Sequence, residues 1–181
     1  MDDLTPLVEL AGRVQHAFVR RSMTLACAES CTGGLVGYAL TELAGSSDYF
    51  RGGAISYSND AKRDLLGVPP ALLERHGAVS AETALAMAEG ARRVFGADVG
   101  VAVTGIAGPG GGSATKPVGL SYVAVADAAG SSVRRLERRG DRHENRLASA
   151  RACLELVLER VEAGSPAGAE GSPPAATPSH R

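Results

Sequence analysis

The 181-residue chain has almost no net charge, since 19 Lys and Arg face 20 Asp and Glu and leave −1 at pH 7. A nucleic-acid partner calls for a basic excess or stripe, so none is expected. No apolar run approaches the roughly 18 residues that a membrane-spanning helix needs. The opening stretch MDDLTPLVEL carries two acids where a secretory signal needs positive charge, so a cytoplasmic protein without membrane association is expected. Cysteine is scarce: Cys27, Cys31 and Cys153 are an odd number with no C-x-x-C pair, which argues against a disulfide framework or a zinc knuckle. H-E-x-x-H is absent and HEN at 143–145 stands alone, so no metal is expected. Neither the G-x-x-x-x-G-K-[ST] order nor the dinucleotide fingerprint occurs, no internal repeat is visible, and no cofactor is expected.

What is present is the composition of one globular domain, with 44% apolar and 22% charged residues. Thr5 followed by Pro6 predicts a helix start, with Leu7, Leu10, Ala11, Val14 and Phe18 on its apolar face and its end near Arg21. MTLACA reads as a buried strand, and the stretch from Gly33 reads as helix again. GGAISYSN predicts a second strand, DAKRDLLG a short helix stopped by Gly67, and the segment after Pro69-Pro70 another toward His76. Ser80 caps a longer helix with Leu85, Ala88 and Phe95 along one side. ADVGVAVTG is the strongest strand, apolar enough to lie inside a sheet covered on both faces. LSYVAVAD and SVRRLERR form a hairpin around AAGSS, which makes the sheet mixed. Asp141 and Glu144 have the spacing of a capping box before a last helix whose buried face is Leu147, Ala150, Leu154, Leu158 and Val161. Residues 163–181, rich in Pro, Gly, Ala and Ser, are expected to be disordered, leaving a domain over residues 4–162.

Alternating strands and helices predict an α/β domain built as a three-layer α/β/α sandwich around a mixed, mostly parallel sheet. Ligands in such folds gather at the carboxyl ends of strands. The loops to weigh are therefore AESCTGG, YSNDAK and TGIAGPGGGS.

Ser30 between a strand and a helix can cap that helix, help hold an anion, or act as a nucleophile. Gly33 and Gly34 clear the backbone for a ligand, and the helix start offers N–H groups for a phosphate or an oxyanion. A serine nucleophile needs a base. None of His16, His76, His143 and His180 lies on a strand-exit loop, which disfavours a Ser-His-Asp arrangement. Lys62, just after the second strand, is the better base, provided that burial or a neighbouring cation lowers its pKa; taken alone it reads as a solvated surface lysine. Tyr57 is able to orient the pair, although a half-buried strand tyrosine is the commoner reading. Cys31 is a rival nucleophile ranked below Ser30, because it lacks a histidine partner. The glycine-rich loop, with Thr104, Gly105 and Lys116, is a candidate phosphate holder, to which Arg142 and Arg146 can add.

Taken in order, AESCTGG, AGSSDYFRGGAISYSNDAK, GAVS, TGIAGPGGG and KPVG with GDR resemble the CinA C-terminal domain family, over nearly all of residues 4–162. The stand-alone members of that family are nicotinamide-nucleotide amidohydrolases. The resemblance implies hydrolysis of nicotinamide mononucleotide to nicotinate mononucleotide and ammonia, with Ser30 as nucleophile, Lys62 as base and Tyr57 nearby. Thr32, Gly33 and Gly34 are then expected around the oxyanion, and Thr104, Gly105 and Lys116 around the ribose phosphate. A homo-oligomer is also implied. Some members carry a fused amino-terminal domain, whose activities are expected to be missing from a chain that begins at the amidohydrolase part. Arg138 and Arg139 depart from the aromatic or apolar residue often found before GDR, which bears on the local wall of the pocket. The alternatives are a nucleotide-binding or regulatory module without turnover, and an amidase for another small amide.

Overall fold

A computed structural model describes residues 4–163. Its elements run α1 (Thr5–Val19), β1 (Leu25–Glu29), α2 (Leu35–Glu42), a short 3-10 turn, β2 (Phe50–Ile55), α3 (Asn59–Leu66), α4 (Pro70–His76), α5 (Ala81–Val94), β3 (Val99–Gly105), β4 (Leu120–Asp127), β5 (Gly130–Glu137) and α6 (Arg142–Ala163). The five strands form one sheet in the order β2-β1-β3-β4-β5. β1 pairs parallel with both β2 and β3, while β4 is antiparallel to β3 and β5. Four strands thus share a direction and β4 alone opposes them, because a tight hairpin joins Asp127 to Gly130. The tail expected to be disordered lies outside the described residues from 164 onward. Among the described residues no helix is long and apolar enough to cross a membrane.

The period-two alternation of the strands sorts their side chains into two unlike cores. Leu25, Cys27, Val99, Val101, Val103, Val123 and Val125 face α1, α2 and α6, where Phe18, Leu40, Leu154 and Val157 fill the space. The other face carries Ala26, Ala28, Ala102, Ala124 and Ala126, and meets Ala84, Met87, Ala88 and Ala91 of α5 with Leu66 and Val68. Small residues on both sides let α5 approach closely. A methyl group at Gly100 would stand 2.1 Å from the Ala88 carbonyl oxygen.

Several local expectations shift. Leu4 rather than Thr5 occupies the cap position of α1, without a side-chain cap bond, and Thr5 is already helical. β2 begins at Phe50 and ends at Ile55, which frees residues 56–58 for the strand exit. The buried stripe of α5 is Thr83, Ala84, Met87, Ala88, Gly90 and Ala91, so Leu85 and Phe95 are only partly covered. The stops and caps at Gly67, Ser80 and Asp141 appear where the residues predict them. Gly67 is left-handed, the Ser80 hydroxyl accepts from Thr83 N–H, and Asp141 and Glu144 exchange side-chain bonds to each other's N–H at 2.8 Å.

Candidate functional site

β1 ends at Glu29 with Ser30 directly after it, and alternation sends these neighbours to opposite faces of the sheet. Glu29 points with Leu25 and Cys27 toward α2, where its carboxylate accepts N–H bonds from Gly34 (3.0 Å), Val36 (3.1 Å) and Gly37 (2.8 Å). The acid is only 2% exposed. Glu29, and not Ser30, therefore serves the start of α2. Ser30 continues the parallel ladder through its N–H to the Val103 carbonyl (3.0 Å), and its side chain turns to the face that carries α3.

There Lys62, four residues past the Ser58 cap of α3, reaches back under the exit of β2. Its Nζ lies 2.7 Å from the Ser56 carbonyl oxygen and 3.2 Å from Ser30 Oγ. The residue is 1% exposed, so the solvated-surface reading of this lysine does not hold. Burial holds its pKa below the usual lysine value, opposed by the nearby Cys31 thiol. Among the described residues no ion pair joins Lys62 to a carboxylate. Cys31 itself is pushed up to about 11, chiefly by burial, which leaves it a protonated thiol at neutral pH.

The pair opens onto a cavity of about 250 Å³ walled by Ser30 and Cys31, Tyr57, Lys62, the turn at Ala78 and Val79, the stretch from Thr104 to Gly108 with Gly110 and Gly111, and Arg142. A broader hollow of about 600 Å³ continues beyond Arg142 and shares Ala107 and Arg142 with it. The smaller cavity holds Ser30 and Lys62. Tyr57 is largely exposed at the mouth; its hydroxyl is 3.3 Å from Arg142 Nη2, with no bond to Ser30 or Lys62. Arg142 also donates to the Gly108 carbonyl (2.8 Å), and Arg146 to the Thr32 carbonyl (2.7 Å). Asn145 donates to the carbonyls of Ala107 and Gly140, so the first turns of α6 tie the Ala107–Gly108 wall to the segments at Thr32 and Gly140.

The other expected site residues behave differently. Gly33 N–H is bonded to the Ser30 carbonyl and Gly34 N–H to Glu29, so neither is available to an oxyanion. Thr32 is fully buried, and the Thr32–Gly34 stretch is not part of the cavity wall. Thr104 lines the cavity, but its hydroxyl is spent on the Ala78 carbonyl at 2.7 Å, holding the 78–79 turn. Gly105 is needed for close packing, since a Cβ there would meet Ser121 Cβ at 2.6 Å. Lys116 stands outside the cavity and donates to the His76 carbonyl at 2.6 Å. Glu29 was the residue missed, although a lone acid closing an apolar strand was a visible anomaly. Among the described residues no group of three or more His, Cys, Asp or Glu side chains is gathered to hold a metal.

Fold and site define an α/β/α domain with a buried serine–lysine pair at the carboxyl edge of its sheet. The profile of the CinA C-terminal domain matches residues 7–161, and the chain belongs to that family. It is 63% identical over 134 residues to a CinA-like protein of Synechococcus sp., covering 74% of this chain and 32% of the relative. A CinA-like protein of Geobacter sulfurreducens is 52% identical over 148 residues, covering 82% and 36%. The chain thus spans about a third of the length of these curated relatives. Among solved structures, the competence/damage inducible protein CihA of Agrobacterium tumefaciens superposes with a TM-score of 0.82 at 48% identity, covering 86% of this chain and 94% of that one. The competence damage-inducible protein A of Klebsiella pneumoniae gives 0.84 at 32% identity, covering 87% and 98%.

Proposed function

We propose that the chain is an amidohydrolase that converts nicotinamide mononucleotide and water to nicotinate mononucleotide and ammonia, with Ser30 as nucleophile and Lys62 as base. The observation that carries this reading is the buried Lys62 Nζ, without a carboxylate partner, 3.2 Å from Ser30 Oγ. A neutral amine in this position uses one N–H on the Ser56 carbonyl and keeps its lone pair for the serine hydroxyl proton. As Oγ attacks the carboxamide carbon, Lys62 takes that proton. It then gives the proton to the departing amine, which leaves as ammonia and an acyl-enzyme on Ser30. Water attacks the acyl carbon with Lys62 again as base, and release of the carboxylate restores the hydroxyl.

Because the N–H groups of Gly33 and Gly34 are engaged, donors to the tetrahedral oxygen are sought in the cavity-lining backbone between Ala107 and Gly111. Arg142, at the border of the two hollows, takes over the phosphate role first considered for Lys116. Tyr57 at the mouth offers its ring as a wall for the pyridine. The test is ammonia release from nicotinamide mononucleotide by wild type, Ser30→Ala and Lys62→Ala. The reading expects turnover by wild type and a loss of roughly 10³-fold or more in each variant. Binding of the nucleotide by calorimetry without ammonia release, or near-normal turnover by either variant, overturns it.

A further inference from the structure

Glu29 is a buried carboxylate directly before Ser30 that the reaction does not consume. A helix start normally presents free N–H groups and a positive end to an anionic ligand. At α2 that place is already taken by the protein's own acid, through three bonds of 2.8 to 3.1 Å. These bonds fix the turn that carries Ser30, which closes on itself through Gly33 N–H to the Ser30 carbonyl at 3.1 Å. The backbone of the same residue reaches the other member of the pair. The Glu29 carbonyl accepts Ser56 N–H at 2.8 Å, and the Ser56 carbonyl receives Lys62 Nζ at 2.7 Å. One residue thus ties the nucleophile through its side chain and the base through its main chain.

We propose that Glu29 is a positioning residue, whose carboxylate holds the 30–34 turn on the start of α2 and thereby sets the approach of Ser30 Oγ to Lys62 Nζ. The inference rests on the serine–lysine reading above. It has an electrostatic consequence as well. The carboxylate of Glu29 sits on the positive end of α2 and offsets it inside the protein. Replacing the acid with a neutral amide removes a negative charge and uncovers that end, and both changes disfavour the ammonium form of Lys62. The titratable groups that face the pair are Cys31 from its own turn, Tyr57 from the β2 exit, and Arg142 and Arg146 from α6. Those around Glu29 are Cys27, Cys31 and Cys153, all thiols held protonated by burial. None of them replaces the missing charge.

The experiment compares wild type, Glu29→Gln and Glu29→Asp. In folded Glu29→Gln, kcat for ammonia release falls about 10- to 100-fold with KM changed less than about threefold, as expected for a misplacement on the ångström scale. The acid limb of kcat/KM moves to lower pH. Glu29→Asp keeps the charge but lacks the reach, so kcat falls while the acid limb stays in place. A merely structural role lowers the melting temperature and moves neither the limb nor the kcat of the folded fraction, and that result overturns the proposal. Wild-type kcat in Glu29→Asp overturns it too, which matters if Glu29→Gln does not fold. Should neither variant fold, hydrogen exchange on the wild type decides. The N–H groups of Gly34, Val36 and Gly37 are protected like those of β1, and fast exchange at these three sinks the idea. Labelling of Ser30 by a fluorophosphonate probe is followed over the same pH range in every variant. If wild type labels at Ser30 yet releases no ammonia, the substrate reading has failed, and the labelling profiles still judge Glu29.

Discussion

Lys62 carries a cost in stability, because its amine is buried without a carboxylate partner among the described residues. Burial holds its pKa in the folded chain below the ordinary lysine value of 10.5. Between the two values the unfolded chain holds a proton that the folded chain lacks, so folding stability rises with pH across that window. Each unit of depression corresponds to about 1.4 kcal/mol when the site is protonated in both states. Lys62→Met removes this linkage and leaves the Ser56 carbonyl without its donor, a loss of about 1–3 kcal/mol that does not vary with pH. The stability of Lys62→Met relative to wild type is therefore expected to fall as pH rises toward 10.5 in urea titrations, and a difference that stays constant all the way to pH 10.5 would mean that the lysine titrates normally. Cys31 gives the opposite expectation. Its thiol lines the same cavity but is pushed up to about 11, so it is not a thiolate at neutral pH. Cys31→Ala should keep kcat for ammonia release within about threefold of wild type, because removing an inert wall group takes away no transition-state contact.

Elements assemble around the difference between the two faces of the sheet. The alanine-rich face admits α5 at a distance that leaves no room for one more carbon, and the 78–79 turn that precedes the Ser80 cap of α5 forms part of the cavity wall. Gly100→Ala would place its methyl 2.1 Å from the Ala88 carbonyl and 2.7 Å from Arg92 N, both backbone atoms that cannot step aside alone. It should lower stability by about 3 kcal/mol or more by forcing helix and sheet apart, measured as a shift in urea midpoint. The elements themselves were legible in the sequence because each carries local punctuation: Gly67 as a left-handed stop, Ser80 as a cap, Asp141 with Glu144 as a reciprocal pair. The nearness of Ser30 and Lys62 was legible as well, since both follow parallel strands at one edge of a sheet. The free donors expected at Gly33 and Gly34 were misjudged for a reason no local pattern carries. Whether a helix start is open or already filled depends on which face a neighbouring strand residue takes. Lys116 was misplaced likewise, because the glycine-rich loop folds toward α4 and its length does not reveal that.

Across the whole molecule, the cavity and two further acid-centred braces lie on opposite edges of the sheet. Ser30, Tyr57 and Gly105 lie at or just past the carboxyl ends of β1, β2 and β3, and Lys62 reaches them from α3. At the amino edge, the Asp98 carboxylate accepts from Thr24 N–H and hydroxyl at 2.8 and 2.7 Å, which joins the starts of β1 and β3. Beside it, Arg160 of α6 grips Asp127 at the β4–β5 turn with two bonds of 2.7 and 2.8 Å. Both acids are held below the ordinary carboxylate value of 3.8, Asp98 chiefly by the Thr24 hydroxyl and Asp127 by the guanidinium. A depressed carboxylate contributes stability above its unfolded pKa and loses it as pH falls through the folded value, so these braces fail below about pH 4. Arg160→Met keeps much of the stem's packing and removes the grip. It should cost about 1.5–3 kcal/mol at pH 7, the range for hydrogen bonds to charged groups, with the difference from wild type shrinking as pH drops below 4. Its kcat and KM for nicotinamide mononucleotide should match wild type, because the brace is at the far edge from the cavity. Urea midpoints between pH 3 and pH 7 with parallel ammonia assays check both halves. A fall in activity alongside the fall in stability would mean that the two edges are coupled through α6, whose first turns hold the walls of the site.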